Sequence, residues 1–213
     1  MNYMQKDNDN TQLDLLRHGE PLGGRRYRGQ QDDALSELGW EQMWQSVGEY
    51  DAWQQIVSSP LQRCQAFAQA LGERIGAPVR SEPRFAEVGF GQWEGKTRAE
   101  LEQQDPGQVS RFYQDPVNNR PPGAEPLENF VERVSSGFTA LLTDYPGQTL
   151  LVVAHAGVIR AILSQVLDMP PAAMYRINVA NAGLTRLSND RERGYNLVSH
   201  GSTGIAGWPL VQV

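Results

Sequence analysis

The chain has one cysteine, Cys64, and three histidines among its 213 residues. A single thiol cannot close an internal disulfide and leaves no thiolate cluster for structural zinc. The histidines stand at 18, 155 and 200, without the close ligand spacing of a metal hydrolase. Long apolar runs are missing as well: the longest aliphatic stretch is Leu150 to Ala154, against the ~20 residues a membrane helix requires. No basic-then-apolar leader opens the chain, and Met1 to Thr11 is polar, so residues 1–11 are expected to be a flexible segment. Positive charge is also scarce, with 19 Lys and Arg against 25 Asp and Glu and a net charge of −6. That balance argues against a nucleic-acid binder working through a general basic field. The expectation is a soluble, cytoplasmic protein without nucleic-acid or membrane partners, folded as one domain over residues 12–213.

What is present is an alternation of element types. Leu13 to Leu16 is a short apolar run that ends in charged residues and Gly19, as in a strand feeding a loop. Ser36 can cap a helix carrying Leu38, Met43 and Val47. Ile56 to Ser59 predicts a second strand, stopped by Pro60, and Leu61 to Ile75 a helix ended by Gly76 and Pro78. Phe85 to Gly95 is glycine-rich and aromatic, the pattern of a tight irregular loop. Residues 105–126 are rich in proline and predict a long loop, a length usually associated with function. Leu127 to Tyr145 has helical spacing, Thr149 to Ala154 reads as a buried strand and Val158 to Leu167 as a helix. Weaker strands follow at Gly183 to Leu187 and Tyr195 to Ser199. Together these predict an α/β fold of three layers, a mostly parallel sheet flanked by helices.

Two histidines have matching surroundings. His18 follows the first strand and precedes Gly19; His155 follows the strand Leu150 to Ala154 and precedes Ala156-Gly157. Ligands of open parallel sheets bind beyond the carboxyl ends of the strands. That rule puts both histidines on one rim, with Arg17 beside His18 and Arg63 beyond the strand at Ile56. Fixed positive charge around a histidine suits phosphoryl transfer, where catalysis is mainly positioning and electrostatic stabilisation. Guanidinium groups hold two oxygens at once, and imidazole can attack phosphorus. Taken singly, each piece has an ordinary explanation: a lone His-Gly is more often structural, and Arg63 on a helix face is ordinarily a surface residue. The arginines at 17, 25, 26 and 28 would on charge alone be a solvated loop. Trp53 and Trp208 fit core or edge packing better than a partner surface, and His200 an exposed structural position. The conjunction at 17, 18, 63 and 155 is what points to a site.

Leu16-Arg17-His18-Gly19-Glu20 resembles the R-H-G-E signature of the histidine phosphatase superfamily, the phosphoglycerate-mutase-like group. Ser58 to Cys64 resembles the second block of that family and Phe85 to Gly95 its third. Pro122 to Glu125 and Val153 to Val158 resemble the fourth and fifth. The resemblance implies that His18 is the phosphorylated nucleophile and that Arg17, Arg63 and His155 line a phosphate pocket. It also implies that Glu87 is the proton donor and then the base, with no metal or other cofactor. Glu20 is expected to orient the loop or the imidazole. The asparagine that many members carry after R-H-G-E is missing here. Pro21 to Arg26 stands in its place, and Glu20, Arg25, Tyr27 and Arg28 are possible substrate contacts.

Within the family, Gly24-Arg25-Arg26-Tyr27-Arg28-Gly29 is closest to the α-ribazole phosphatase branch, which acts in cobalamin biosynthesis. The implied activity is hydrolysis of a small phosphorylated metabolite, by a monomer or homodimer. A broad-specificity phosphatase stands as the alternative. A mutase fits less well, because only about 20 residues separate Cys64 from Phe85, too few for an elaborate lid. A non-catalytic phosphate-binding module would be expected to lose His18 or Glu87, and both are present.

Overall fold

A computed structural model describes residues 11–190, 192 and 194–205. Most of the expected N-terminal flexible segment, residues 1–10, and Trp208 lie outside the described residues. Thr11 is buried, and its hydroxyl accepts from the Gly147 N–H at 2.8 Å.

Six strands form one sheet: β1 (Gln12–Arg17), β2 (Gln55–Ser58), β3 (Val79–Ser81), β4 (Thr149–Ala154), β5 (Leu184–Asp190) and β6 (Gly194–Ser202). Their order across the sheet is β3-β2-β4-β1-β5-β6. The first four run parallel, and β5 and β6 add an antiparallel margin beside β1. Period-two alternation directs Leu13 and Leu15 of β1 to one face and Leu16 to the other. The Leu16 face is covered by α1 (Glu37–Val47) and α2 (Gln62–Ile75), through Met43, Val47, Phe67 and Leu71. The opposite face carries α5 (Leu127–Asp144) and α6 (Ala156–Val166), so the expected three layers are present. On α5, the buried Phe130, Val134, Phe138 and Leu141 recur at helical spacing and make that helix's inner stripe.

One charged pair is sealed inside the sheet. Asp14, fully buried on β1, stands opposite Arg186 on β5 and accepts from its Nε and Nη2, both at 2.8 Å. Trp53 Nε1 donates to the same carboxylate at 2.9 Å, which places this tryptophan in the core. Burial pushes the Asp14 carboxyl upward in pKa, and Arg186 and Trp53 pull it back.

Several helix ends are where the sequence puts them. Ser36 accepts from the Gly39 N–H at 3.0 Å and starts α1, and Gly76, at φ +70°, closes α2. The stretch expected to be a long loop is different. Helix α4 (Gln108–Gln114) lies within residues 105–126, and α3 (Arg98–Gln104) precedes it. Thr97 and Glu100 form a reciprocal capping box for α3, and the Glu102 carboxylate accepts from the Gly107 N–H at 2.6 Å where α4 begins. Phe112 then anchors α4 against Trp93, Phe90 and Tyr175. Two-turn helices are too short to show a period in sequence, and tertiary packing decides them. No helix among the described residues is long and apolar enough to cross a membrane.

Candidate active site

Strands β1 and β4 are in parallel register, with Arg17 opposite Ala154. His18 and His155 therefore leave the sheet side by side. The His18 N–H extends the ladder to the Ala154 carbonyl at 3.0 Å, and the two rings meet at 5.2 Å and 64°. Strand β2 flanks β4 on its other side and delivers Ser59, whose Oγ is 2.7 Å from His155 Nε2. Arg63 follows in the first turn of α2.

The His18 imidazole is held in one tautomer. Its Nδ1 lies 2.7 Å from the Gly19 carbonyl, which can only accept, so Nδ1 carries the proton and Nε2 keeps its lone pair. Burial holds the His18 pKa well below the usual histidine value, and Arg17 and Arg63 add to the shift. His155 is lowered too, by burial first and then by Arg63. Both rings are therefore neutral at physiological pH. Arg17 donates Nη1–H to the Val179 carbonyl at 2.6 Å. Arg63 donates to the Gln31 and Gly29 carbonyls at 2.7 and 3.0 Å. Each guanidinium keeps further N–H groups with no protein acceptor, including the Nε of both. Burial brings Arg17 down to about 10, still cationic at neutral pH. Cys64, beside His155, is no rival nucleophile, because burial pushes its thiol up to about 12.

Glu87 approaches from the loop after β3. Its Oε1 accepts from the Val88 N–H at 2.9 Å and its Oε2 from the Gly157 N–H at 3.2 Å, in the first turn of α6. A Cβ on Gly157 would overlap the Glu87 carboxylate, so a larger residue there must push that carboxylate aside. The loop itself is held by Arg133 on α5, which donates to the carbonyls of Arg84, Ala86 and Glu87 at 2.7, 2.8 and 3.0 Å. Glu125 pairs with Arg133 at 2.6 Å and accepts from the Gly89 N–H at 3.1 Å. The supporting role of Arg133 is absent from the sequence reading, since an arginine on an amphipathic helix looks like any solvated charge. Glu125, within the fourth sequence block, did carry a signal.

A cavity of about 670 Å³ opens over these residues, and Arg17, His18, Arg63 and Glu87 line it together with Glu20, Arg25, Tyr27 and Arg28. Their surroundings differ. Ser36 donates from its N–H and Oγ to the Glu20 carbonyl, tying the His18 loop to the cap of α1. Arg28 is buried and donates to Asp33 at 2.9 Å and to the Leu22 and Gly24 carbonyls at 2.6 Å, so it folds its own loop. The Tyr27 hydroxyl donates to that of Tyr113 at 3.4 Å. Arg98, Arg160, Tyr175, Asn178 and Asn181 line it as well, and none of them carries a local signal in sequence. His200 is half-buried rather than exposed: its Nε2 donates to the Asn178 carbonyl at 2.9 Å and its Nδ1 accepts from the Thr185 hydroxyl at 2.8 Å.

Behind that rim, Ala182 adopts a left-handed φ of +51° while its N–H donates to the His18 carbonyl at 3.2 Å. A non-glycine residue held there marks a backbone fixed by its surroundings. Among the described residues, no group of three or more His, Cys, Asp or Glu is placed to hold a metal ion. The arrangement presents an unprotonated imidazole nitrogen among guanidinium donors, with a carboxylate across from it. Such a site can accept a phosphoryl group and pass a proton.

The sequence model for the histidine phosphatase superfamily (branch 1) matches residues 13–202. A bifunctional protein of Mycobacterium tuberculosis is 36% identical over 181 residues; the match takes in 82% of this chain, which spans only about half (49%) of that relative. A glucosyl-3-phosphoglycerate phosphatase of Mycobacterium tuberculosis is 33% identical, with 83% of this chain and 84% of the relative covered. The solved mycobacterial glucosyl-3-phosphoglycerate phosphatase superimposes with a TM-score of 0.79 at 30% identity, over 91% of this chain and 99% of that one. The α-ribazole phosphatase of Shigella flexneri superimposes with a TM-score of 0.78 at 26% identity, over 91% and 98%. The family match from the first strand to the last, on a fold that brings both histidines to one rim, shows that the chain belongs to the histidine phosphatase superfamily.

Proposed function

We propose that this chain hydrolyses a small phosphomonoester, without a metal, through a phosphohistidine at His18. In the first step His18 Nε2 attacks phosphorus, the ester P–O bond breaks, and protonated Glu87 gives its proton to the leaving oxygen. In the second, Glu87 takes a proton from water, the water oxygen attacks phosphorus, and the P–N bond breaks to release inorganic phosphate. Arg17, Arg63 and neutral His155 stabilise the charge on the equatorial oxygens. The observation that carries this reading is the Nδ1–H bond from His18 to Gly19, which leaves Nε2 free inside a cationic pocket.

For the substrate, the loop Gly24 to Gly29 supports α-ribazole phosphate, in cobalamin biosynthesis. The higher identities belong to relatives named for glucosyl-3-phosphoglycerate, 33% and 30% against 26%, and these support that ester as a second reading. The test is phosphate release from both esters, with nucleotide and sugar phosphates and phosphoglycerate alongside, in the presence of chelator. Loss of turnover in chelator would overturn the metal-free reaction. A His18→Ala protein with full turnover would overturn the covalent one.

A further inference from the structure

The cavity holds more positive charge than one phosphoryl group requires. Seven arginines and two glutamates line it, in a chain whose net charge is −6. Arg17 and Arg63 sit beside the histidines, and Arg26 and Arg28 are engaged by carbonyls and carboxylates of their own surroundings. Arg25 and Arg98 are different. Both line the cavity, both are exposed, and neither has a hydrogen-bond or ion-pair partner among the described residues. They come from segments far apart in sequence, the loop after β1 and the start of α3, and Tyr27, which lines the same cavity, is within electrostatic reach of both. Arg25 also acts on Arg17, so this outer charge is continuous with the inner pocket.

Two like charges facing one cavity without counter-ions repel each other, and an anion placed between them relieves that repulsion. We propose that Arg25 and Arg98 form a second anion subsite, so that the substrate is a phosphomonoester whose alcohol portion bears another anionic group, a carboxylate or a second phosphate. This rests on the phosphatase reading and adds the class of ester to it. The paired hydroxyls of Tyr27 and Tyr113, also lining the cavity, suit a polar spacer between the two anions. α-Ribazole phosphate has no second anion, so this inference ranks it below an acidic phosphoester.

Matched esters test it. 3-Phosphoglycerate and glycerol 3-phosphate differ by a carboxylate in place of a hydroxymethyl group, and fructose 1,6-bisphosphate and fructose 6-phosphate differ by a phosphate. The wild-type enzyme is expected to favour the more anionic member of at least one pair by about tenfold or more in kcat/KM, mostly through KM. That ratio should fall towards one in Arg25→Met and in Arg98→Met, and also at high salt. Equal kcat/KM within both pairs, while 4-nitrophenyl phosphate is hydrolysed, overturns the subsite and leaves the phosphatase reading standing. A preference unchanged in both variants also overturns it. No hydrolysis of any of these esters, nor of α-ribazole phosphate or glucosyl-3-phosphoglycerate, overturns both readings together.

Discussion

The Glu87 carboxylate rests on the Gly157 amide, 3.2 Å from Oε2, so the proposed proton carrier and the helix that follows His155 are one packed unit. A methyl group on Gly157 would occupy the place of the Glu87 carboxylate. Gly157→Ala is expected to displace Glu87 and lower kcat by about 10²-fold, the scale of losing one acid-base group. Steady-state kinetics with a poor leaving group check this. A good leaving group, which needs less proton donation, should be affected less.

Arg133 reaches the same carboxylate only through main chain. Arg133→Met removes three donors to the carbonyls of Arg84, Ala86 and Glu87 and leaves Glu125 without its ion-pair partner. The expected result is a fall in kcat of about tenfold or more, with KM changed less, because 1 Å misplacements are costly in catalysis. Arg133→Lys should not restore activity, since one ammonium cannot reproduce the guanidinium fork.

The buried pair of Asp14 and Arg186 gives a stability prediction away from the site. Asp14→Ala takes the carboxylate away from Arg186 and from the Trp53 N–H, and should cost about 3–5 kcal/mol in urea unfolding. Replacing both partners, Asp14→Leu with Arg186→Met, should cost clearly less. A double substitution as damaging as the single one would contradict this account.

Two buried neutral histidines make stability depend on pH. Their folded pKa values lie below that of an unfolded histidine, so below about pH 6.5 the unfolded chain binds more protons. Stability is complete above that value and is lost as pH falls through it. Melting temperature should therefore drop by several degrees between pH 7 and 5, and His18→Asn should shrink the drop. Glu82, Glu100 and Asp115 are held low by their hydrogen-bond partners and lose their contribution below that window. Asp14 shifts in the opposite sense, so the comparison with His18→Asn isolates the imidazole.

The strand tips were legible in sequence because each is an apolar run broken by a charged or small residue, as at Leu13 to Gly19 and Leu150 to Gly157. Helix α1 was legible through Ser36, and α2 through its glycine stop. Strand β3 was not, because three residues with one side half-buried make no pattern. Helices α3 and α4 were missed because Leu101, Val109 and Phe112 are held by burial in the tertiary core, Phe112 against Trp93 and Tyr175, rather than by local periodicity. The inner site followed from short motifs. The outer cavity did not, since Arg98, Arg160 and Asn178 come together only through the fold. Arg28 shows the reverse case, a charged residue beside the motif that serves its own loop.

The pairing of β1 with β4 also governs when the site exists. The His18 loop is made near the start of the chain, yet the neighbouring rim is supplied only with residues 149–155. A ribosome-bound chain stopped before β4 holds His18, Arg17 and Arg63 but has no partner strand to set them. The proposed phosphate binding is then expected to begin as a single late event in synthesis, and an N-terminal fragment carrying the signature motif is expected to be inert until the missing strand is supplied.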